Sequence, residues 1–220
     1  KFKKINISDF KIILDILNKY NLNFILFSSS FIYPDVSFVD ENILPNPETF
    51  YGKLRLEQEK LLENSALNYV ILRLSNIYGF GPFLNLGNLG VIEKFINLTF
   101  SKKQITLHGN GLQKLDCMYI DDLIELLKLL LNKPFSSNVF NVSSEKNYSV
   151  LEISKIIEQH AMKNFQINLK LTSSENSYTL PNSPLMFSNK IKNFVPWIPK
   201  QINIKKKIEQ MMDEFSKHIG

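Results

Sequence analysis

Short apolar runs alternate along this chain with longer segments in which apolar residues recur every three or four positions. The runs are typical of strands in a parallel sheet that is covered on both faces. The longer segments are typical of amphipathic helices packed on such a sheet. The pattern predicts strands at 24–28, 69–74, 105–108 and 138–142, and helices at 6–20, 50–64, 91–98, 122–132, 149–163 and 204–219. Alternating strands and helices predict an α/β fold with a parallel sheet.

Local signals predict where several of these elements begin. Ser8 is expected to cap the first helix, and Asp121 is expected to cap the helix at 122–132. The buried face of the first helix is predicted to carry Phe10, Ile13, Leu14 and Leu17. Between the periodic segments, the pattern predicts a long proline-marked loop at 34–47, a turn at 78–82 and a short apolar segment at 118–120.

Length and composition describe an ordinary globular chain. Its 220 residues are 44% hydrophobic and 21% charged, enough for one domain, or one domain with a small lobe. The only cysteine, Cys117, excludes an internal disulfide and favours a reducing compartment, so we expect a cytoplasmic protein. The first residues lack a signal-peptide pattern.

Charge narrows the classes of partner. The net charge of +5 suits an anionic ligand such as a nucleotide phosphate, but the lysines are spread along the chain, so nucleic-acid binding is not expected. No apolar run reaches membrane-spanning length. The three histidines show no metal-ligand spacing, so no metal site is predicted.

Candidate chemistry lies where the first strand ends and where the second helix begins. Ser28, Ser29 and Ser30 follow the apolar run, and Tyr51 is followed four residues later by Arg55. Residues four apart share one helix face, so the phenol and the guanidinium can point into the same site. A hydroxyl, a phenol and a cation are the groups needed to move a proton on and off a sugar or alcohol oxygen.

Five stretches, in order, carry a family resemblance. They are FSSSFIY (27–33), YGKLRLEQE (51–59), LRLSNIYGFGP (72–82), GNG with YIDD (109–122) and FNV (140–142). Together they resemble the NAD-dependent epimerase/dehydratase family of extended short-chain dehydrogenases/reductases, in the branch of UDP-glucose 4-epimerase. The resemblance implies the C-terminal portion of a Rossmann-like doubly wound parallel sheet plus a small α/β substrate-binding lobe. Residues 1–83 and 105–145 would form the partial Rossmann-like core, and residues 84–104 and 146–220 the lobe.

The resemblance also implies roles for named residues. Tyr51 would be the base, Ser29 the catalytic hydroxyl with Ser30 as the neighbouring candidate, and Arg55 the cation beside the phenol. NAD would be bound by Asn6, Ser28, Tyr51, Arg55 and Ser75. The nucleotide-diphosphate sugar would be bound by Asn76, Asn88 and Leu89. Family members are often homodimers through the tyrosine-bearing helix, but the apolar residues of 54–62 equally suit the chain's own core.

The chain departs from the family pattern at several positions. Arg55 replaces a lysine, Leu115 replaces a phosphate-binding arginine, and Asn176 and Thr179 replace an arginine–aspartate pair. None of the eight glycines forms the family's glycine-rich pyrophosphate loop. This implies a member that lacks the amino-terminal nucleotide-binding part, several βα units of roughly 80–90 residues. Ser30-Phe31 stands where sugar dehydratases carry Asp-Glu, which favours epimerisation or simple 4-oxidoreduction over dehydration. Arg73 is expected to be structural.

The leading prediction is an NAD-dependent nucleotide-sugar 4-epimerase that works through a 4-keto intermediate in surface-polysaccharide synthesis. One alternative is a degenerate, non-catalytic binding or assembly module of the same fold, favoured by Arg55 and Leu115. Another is a nucleotide 4-keto-sugar reductase. We expect this chain to be inactive alone and to retain no NAD.

Overall fold

The computed structural model describes residues 2–80, 90–174, 183–200 and 203–218, with only the backbone for residues 2–6. The helices are α1 (Phe2–Lys19), α2 (Phe50–Glu63), α3 (Val91–Lys102), α4 (Ile120–Leu131), α5 (Val150–Phe165), α6 (Asn189–Phe194) and α7 (Ile204–Ser216). The strands are β1 (Phe24–Ser29), β2 (Phe38–Val39), β3 (Tyr69–Leu74), β4 (Asn76–Tyr78), β5 (Gln104–His108), β6 (Lys114–Tyr119), β7 (Asn138–Val142), β8 (Asn147–Ser149), β9 (Lys170–Ser174) and β10 (Leu185–Met186). A 3-10 turn at Ser30–Ile32 follows β1.

A three-stranded parallel sheet in the order β1-β3-β7 forms the centre of the fold. The register places Ser29 opposite Leu74, and Leu74 opposite Val142, so the carboxyl ends of the three strands meet at one edge. The backbone N–H of Ser75 continues this edge by donating to the Val142 carbonyl at 3.0 Å. The α/β prediction is confirmed.

Helices cover both faces of this sheet. On one face α1 and α2 bury Phe10, Leu14 and Leu62 against Leu26 and Ile71. On the other face α4 and α6 pack with the segment that follows α6, and this side of the core includes Leu126, Phe140, Ile191 and Trp197. Burial on two faces explains why these strands are mostly apolar in sequence.

A second apolar core lies between α3, α5, α7 and strand β5. It includes Ile96, Ile105, Ile157, Ile208 and Met212, all of them fully buried or nearly so. The smaller sheets are β5-β9, β10-β2 and β4-β6-β8, of which only the β6–β8 pair is antiparallel. The division into a core at 1–83 and 105–145 and a lobe at 84–104 and 146–220 stays a prediction.

Several local predictions are wrong. Helix α1 already begins at Phe2, so Ser8 lies within the helix instead of capping it, and Ile13 is 45% exposed. Helix α4 begins two residues earlier than expected, with Tyr119 rather than Asp121 at the N-cap position and no side-chain cap. Strand β4 occupies the start of the predicted turn at 78–82, and strand β6 includes most of the segment at 118–120.

The apolar residues of the tyrosine-bearing helix belong to the chain's own core, since Leu54 and Leu62 are buried. Exposed apolar residues on this side of the sheet include Ile12 and Ile16 on α1, which are about half exposed, and Phe50 at the start of α2. Among the described helices, none combines the length and apolar character needed to cross a bilayer.

Candidate active site

The serine cluster stands at the carboxyl end of β1, but its three hydroxyls point to different places. Ser29 accepts a hydrogen bond from the backbone N–H of Phe31 at 3.3 Å and so caps the 3-10 turn. Ser28 is buried, and its Oγ has no hydrogen-bond partner within the described part of the chain. Ser30 is also buried and lines a separate, small cavity with Tyr33 and Thr49.

A close backbone approach brings the start of α2 to this strand end. Thr49 caps the helix by accepting a hydrogen bond from the backbone N–H of Gly52 at 3.0 Å. A Cβ atom at Gly52 would lie 2.0 Å from the Phe31 carbonyl oxygen, so only glycine allows this contact. The contact places Tyr51 beside the turn that follows Ser29.

Tyr51 and Arg55 form the predicted pair on one face of α2. The Nε–H of Arg55 donates to the phenol oxygen of Tyr51 at 3.1 Å, and the guanidinium carbon lies 5.1 Å from the ring centroid. The Nη1 atom of Arg55 donates to Gln58 Oε1 at 3.0 Å, which holds the guanidinium in place. The edge of the Phe31 ring approaches Tyr51 with 6.2 Å between centroids. Tyr51 is 46% exposed, so its phenol is accessible to a ligand.

A cavity of about 290 Å³ opens at this edge of the sheet. Four of the predicted site residues line it, namely Ser29, Tyr51, Ser75 and Asn76. Arg55, Ser28 and Ser30 do not line this cavity. Arg55 is connected to it by the hydrogen bond that its Nε–H donates to the Tyr51 phenol. Asn88, Leu89, Asn176 and Thr179 lie outside the described residues, as does the side chain of Asn6. The chemical roles of all these residues stay predictions.

The Asn76 side chain is held at the base of the cavity. Its Nδ2 donates to the backbone carbonyl of Asp116 at 3.1 Å. Leu115, on the neighbouring strand β6, also lines the cavity and is buried. An apolar side chain therefore stands at the position where the family resemblance implies a phosphate-binding arginine.

Neutral and acidic groups complete the cavity wall. Burial raises the pKa of the Cys117 thiol and of the Tyr78 phenol, so both groups are uncharged near neutral pH. Glu93, in the first turn of α3, accepts a hydrogen bond from the backbone N–H of Gly79 at 3.0 Å, and burial raises its pKa as well. Sequence reasoning missed Glu93, because an acidic residue in a first helical turn is ordinary.

A buried polar network supports the strands beneath the site. The guanidinium of Arg73 on β3 lies 2.8 Å from the Glu59 carboxylate on α2, and also donates to the Tyr33 hydroxyl at 2.9 Å. Tyr33 in turn donates to Asn141 Oδ1 at 2.7 Å. Burial raises the pKa of Tyr33. The expected structural role of Arg73 is confirmed, since its side chain is buried and paired inside the chain.

The side chain of Asp116, on strand β6, forms hydrogen bonds to the segment after β7 and to strand β10. Its carboxylate is fully buried and accepts hydrogen bonds from the Ser143 hydroxyl and, at 3.3 Å, from the backbone N–H of Met186. Burial raises the pKa of Asp116 to about 6, above its ordinary value of 3.8, although these hydrogen bonds oppose the rise. The folded state therefore holds this proton more tightly than the unfolded state does.

We expect Asp116→Asn to remove a pH dependence of stability. Because the folded-state pKa is raised, the contribution of Asp116 is fully present below about pH 4 and is lost as the pH rises through about 6. The shift corresponds to about 3 kcal/mol in the free energy of unfolding. Urea unfolding measures the free energy of unfolding near pH 4 and near pH 7. From the lower to the higher pH, this free energy should fall less in the variant than in the parent. The exposed substitution Asp9→Asn is the control, and parallel curves for parent and D116N would contradict the prediction.

Comparison with known proteins identifies relatives over most of the chain. The model of the family described as NAD dependent epimerase/dehydratase matches residues 1–143. The dTDP-L-rhamnose 4-epimerase of Burkholderia thailandensis is 32% identical over 121 residues, which cover 53% of this chain and 33% of that protein. The chain spans between about a quarter and three fifths of the length of the curated relatives that it matches.

Solved structures share the fold. The UDP-glucose 4-epimerase of Thermotoga maritima, determined with UDP-glucose, has a TM-score of 0.85 at 21% identity. The match covers 99% of this chain and 71% of the epimerase chain. The UDP-glucuronic acid 4-epimerase of Bacillus cereus, in complex with UDP-glucuronic acid and NAD, has a TM-score of 0.81 at 24% identity. This match covers 97% of this chain and 68% of the epimerase chain. These likenesses confirm the Rossmann-like α/β architecture.

Proposed function

Because the chain belongs to the NAD dependent epimerase/dehydratase family, we propose that its site inverts a hydroxyl-bearing carbon of a nucleotide sugar, as a 4-epimerase acting through a 4-keto intermediate. One observation carries the proposal: Ser29 and Tyr51 line one cavity, and Arg55 donates to the phenol oxygen of Tyr51 at 3.1 Å. The setting in a surface-polysaccharide pathway in the cytoplasm is part of the same proposal.

The chain's own residues would handle the proton. Tyr51 takes it from the sugar hydroxyl while that carbon is oxidised, and returns it when the carbon is reduced on the opposite face. The Ser29 hydroxyl donates a hydrogen bond to the same sugar oxygen. Arg55 places a positive charge beside the oxygen that takes up and returns the proton, since its Nε–H donates to the Tyr51 phenol at 3.1 Å.

Only one end of NAD fits the residues of this chain. The buried, unpartnered hydroxyl of Ser28 and the exposed phenol of Tyr51 suit the nicotinamide end, at the edge where parallel strands finish. The pyrophosphate end does not fit, because none of the eight glycines forms a glycine-rich strand-to-helix turn. The chemistry that NAD supplies when bound is hydride acceptance and return. We therefore propose that NAD has to be added and is held weakly by this chain.

The cavity favours epimerisation over dehydration. The family resemblance implies that dehydratases use an Asp-Glu pair directly after the catalytic hydroxyl. At those positions this chain has Ser30, whose side chain lines another cavity, and Phe31, whose ring packs against Tyr51. Neither side chain can act as the acid and base that elimination across a carbon–carbon bond requires.

A second function, a non-catalytic module that binds nucleotide sugars, is favoured by two observations. Leu115 offers no charge to a diphosphate, and Arg55 is a planar guanidinium in place of a compact ammonium. Such a module would keep the cavity and lose turnover. A second copy of the chain on the exposed isoleucines of α1 would suit either function, and so a homodimer stays part of the proposal.

The test is a binding and turnover experiment on the 220-residue chain. Ligand-observed NMR at about millimolar UDP-glucose should show saturation transfer to the hexose protons. With NAD added, slow formation of UDP-galactose should follow, at a rate far below that of an intact epimerase. Binding without any epimer would support the non-catalytic module. The absence of binding for both UDP-glucose and UDP-galactose would contradict both proposals.

A further inference from the structure

One carboxylate oxygen in the cavity wall lacks a partner. The Oε1 atom of Glu93 is bonded to the backbone N–H of Gly79, but its Oε2 atom is buried without a hydrogen-bond partner among the described residues. Glu93 lines the same cavity as Ser29 and Tyr51. A buried acceptor without a donor is costly to the folded protein, and here the cost falls on a carboxylate at the wall of the candidate site.

The backbone is built around this carboxylate. Gly90 precedes α3, and a Cβ atom at this position would lie 2.5 Å from Glu93 Oε2. A side chain there would push the carboxylate out of its place. The absence of a side chain at Gly90 and the hydrogen bond from Gly79 therefore keep Glu93 at the cavity wall.

Glu93 also dominates the charge that a ligand meets. Among the described residues that line the cavity, it is the only carboxylate, and none is a lysine, arginine or histidine. Tyr78 and Cys117 are neutral there, since burial raises the pKa of each. The guanidinium of Arg55 is bonded to Tyr51 and Gln58. A second negative charge entering this space would have no cation on the wall to meet it.

We propose that Glu93 selects the sugar that the site accepts. Its carboxylate lines the cavity, so it repels the carboxylate of a uronic acid and has no such effect on a neutral hexose. This inference rests on the proposed function, because it assumes that a nucleotide sugar occupies the cavity. Solved relatives of the same fold hold either sugar, UDP-glucose in one and UDP-glucuronic acid in another. Glu93 assigns this chain to the neutral class.

The expected discrimination follows from Coulomb's law. Two like charges within one cavity of this size stand only a few ångströms apart in a partly desolvated space, so the weaker binding of the uronic acid should amount to about tenfold or more. Replacing the carboxylate by an amide removes the charge and leaves the shape unchanged. The amide also offers a donor to the uronate.

The experiment compares UDP-glucose with UDP-glucuronic acid on the parent chain and on Glu93→Gln. Dissociation constants are measured by ligand-observed NMR at about pH 8, because burial raises the pKa of Glu93 and a higher pH favours its charged form. The parent should prefer UDP-glucose by about tenfold or more, and E93Q should bring the two sugars to within about threefold. Glu93→Asp, which keeps the charge, should keep the preference. Asp9→Asn on the exposed face of α1 removes the same charge from the protein as a whole and should change nothing.

The outcomes separate the two proposals. If both sugars bind the parent equally well and E93Q leaves both constants unchanged, the inference on Glu93 is wrong while the proposed function stands. If Asp9→Asn relaxes the preference as much as E93Q does, the effect is one of net charge and the inference is again wrong. If neither sugar binds the parent or E93Q, with both proteins folded by circular dichroism, the proposed function fails and the inference fails with it.

Discussion

Arg73→Met is expected to lower the free energy of unfolding by about 3–5 kcal/mol, because it strands a charged carboxylate in the core. Glu59 is 1% exposed, and the described structure offers it no cation other than Arg73 within ion-pair distance. The same substitution removes one of the hydrogen-bond donors to the Tyr33 hydroxyl. Methionine fills a similar volume, so the loss reflects charge and hydrogen bonding more than an empty space.

Urea unfolding of the parent, of R73M and of the double variant R73M/Glu59→Leu measures this effect. The double variant should recover most of the lost stability, because a pair of apolar side chains leaves no buried charge. Lys200→Met is the control. It removes the exposed ion pair between Lys200 and Glu125, and we expect little change. A loss in R73M no larger than that in the control would show that the buried pair contributes little.

The sheet could be predicted from the sequence because burial on two faces leaves an unmistakable pattern. The apolar runs at 24–28 and 69–74 coincide with β1 and β3 almost to the residue, and the run at 138–142 coincides with β7. Each run is mostly apolar because helices cover both faces of the central sheet. The alternation of these runs with periodic helical segments sufficed for the α/β class.

The smaller strands carry no such pattern. Strands β2 and β10 have two residues each, and they exist only because they pair with each other across a long stretch of chain. Strand β9 is mostly exposed or half-buried, and it is ordered by pairing with β5. Such strands form because they pair with segments that are distant in sequence, and the local sequence does not indicate this pairing.

The candidate site likewise combines a contact that the sequence predicts with contacts that it does not. The pairing of Tyr51 with Arg55 follows from helix geometry, because residues four apart meet on one face. The approach of α2 to the turn after β1 depends on Gly52 lying against the Phe31 carbonyl, a contact between segments about twenty residues apart. The place of Glu93 in the cavity depends on Gly79 and Gly90 together. Neither long-range contact has a signature in the local sequence.

Restoring the family's lysine at position 55 is expected to raise the activity of the chain. An ammonium on the same face of α2 leaves the Tyr51 phenol oxygen free of the planar guanidinium and still places a positive charge beside it. With UDP-glucose and NAD added, Arg55→Lys should form UDP-galactose faster than the parent by about tenfold or more, as expected for a better-placed proton-transfer group. Product formation followed by NMR measures the difference.

Removing the phenol oxygen from that improved variant should then abolish turnover. R55K/Tyr51→Phe keeps the ring, its edge contact with Phe31 and the fold, but it has no group to accept the sugar proton. We expect a loss of about 10²–10⁴-fold relative to R55K, the range for a general base, with UDP-glucose binding unchanged. R55K/Tyr20→Phe removes the hydroxyl of an exposed tyrosine outside the site and should stay active. Equal turnover in the two double variants would exclude Tyr51 as the base. If R55K binds UDP-glucose but forms no UDP-galactose, the result would favour the non-catalytic module.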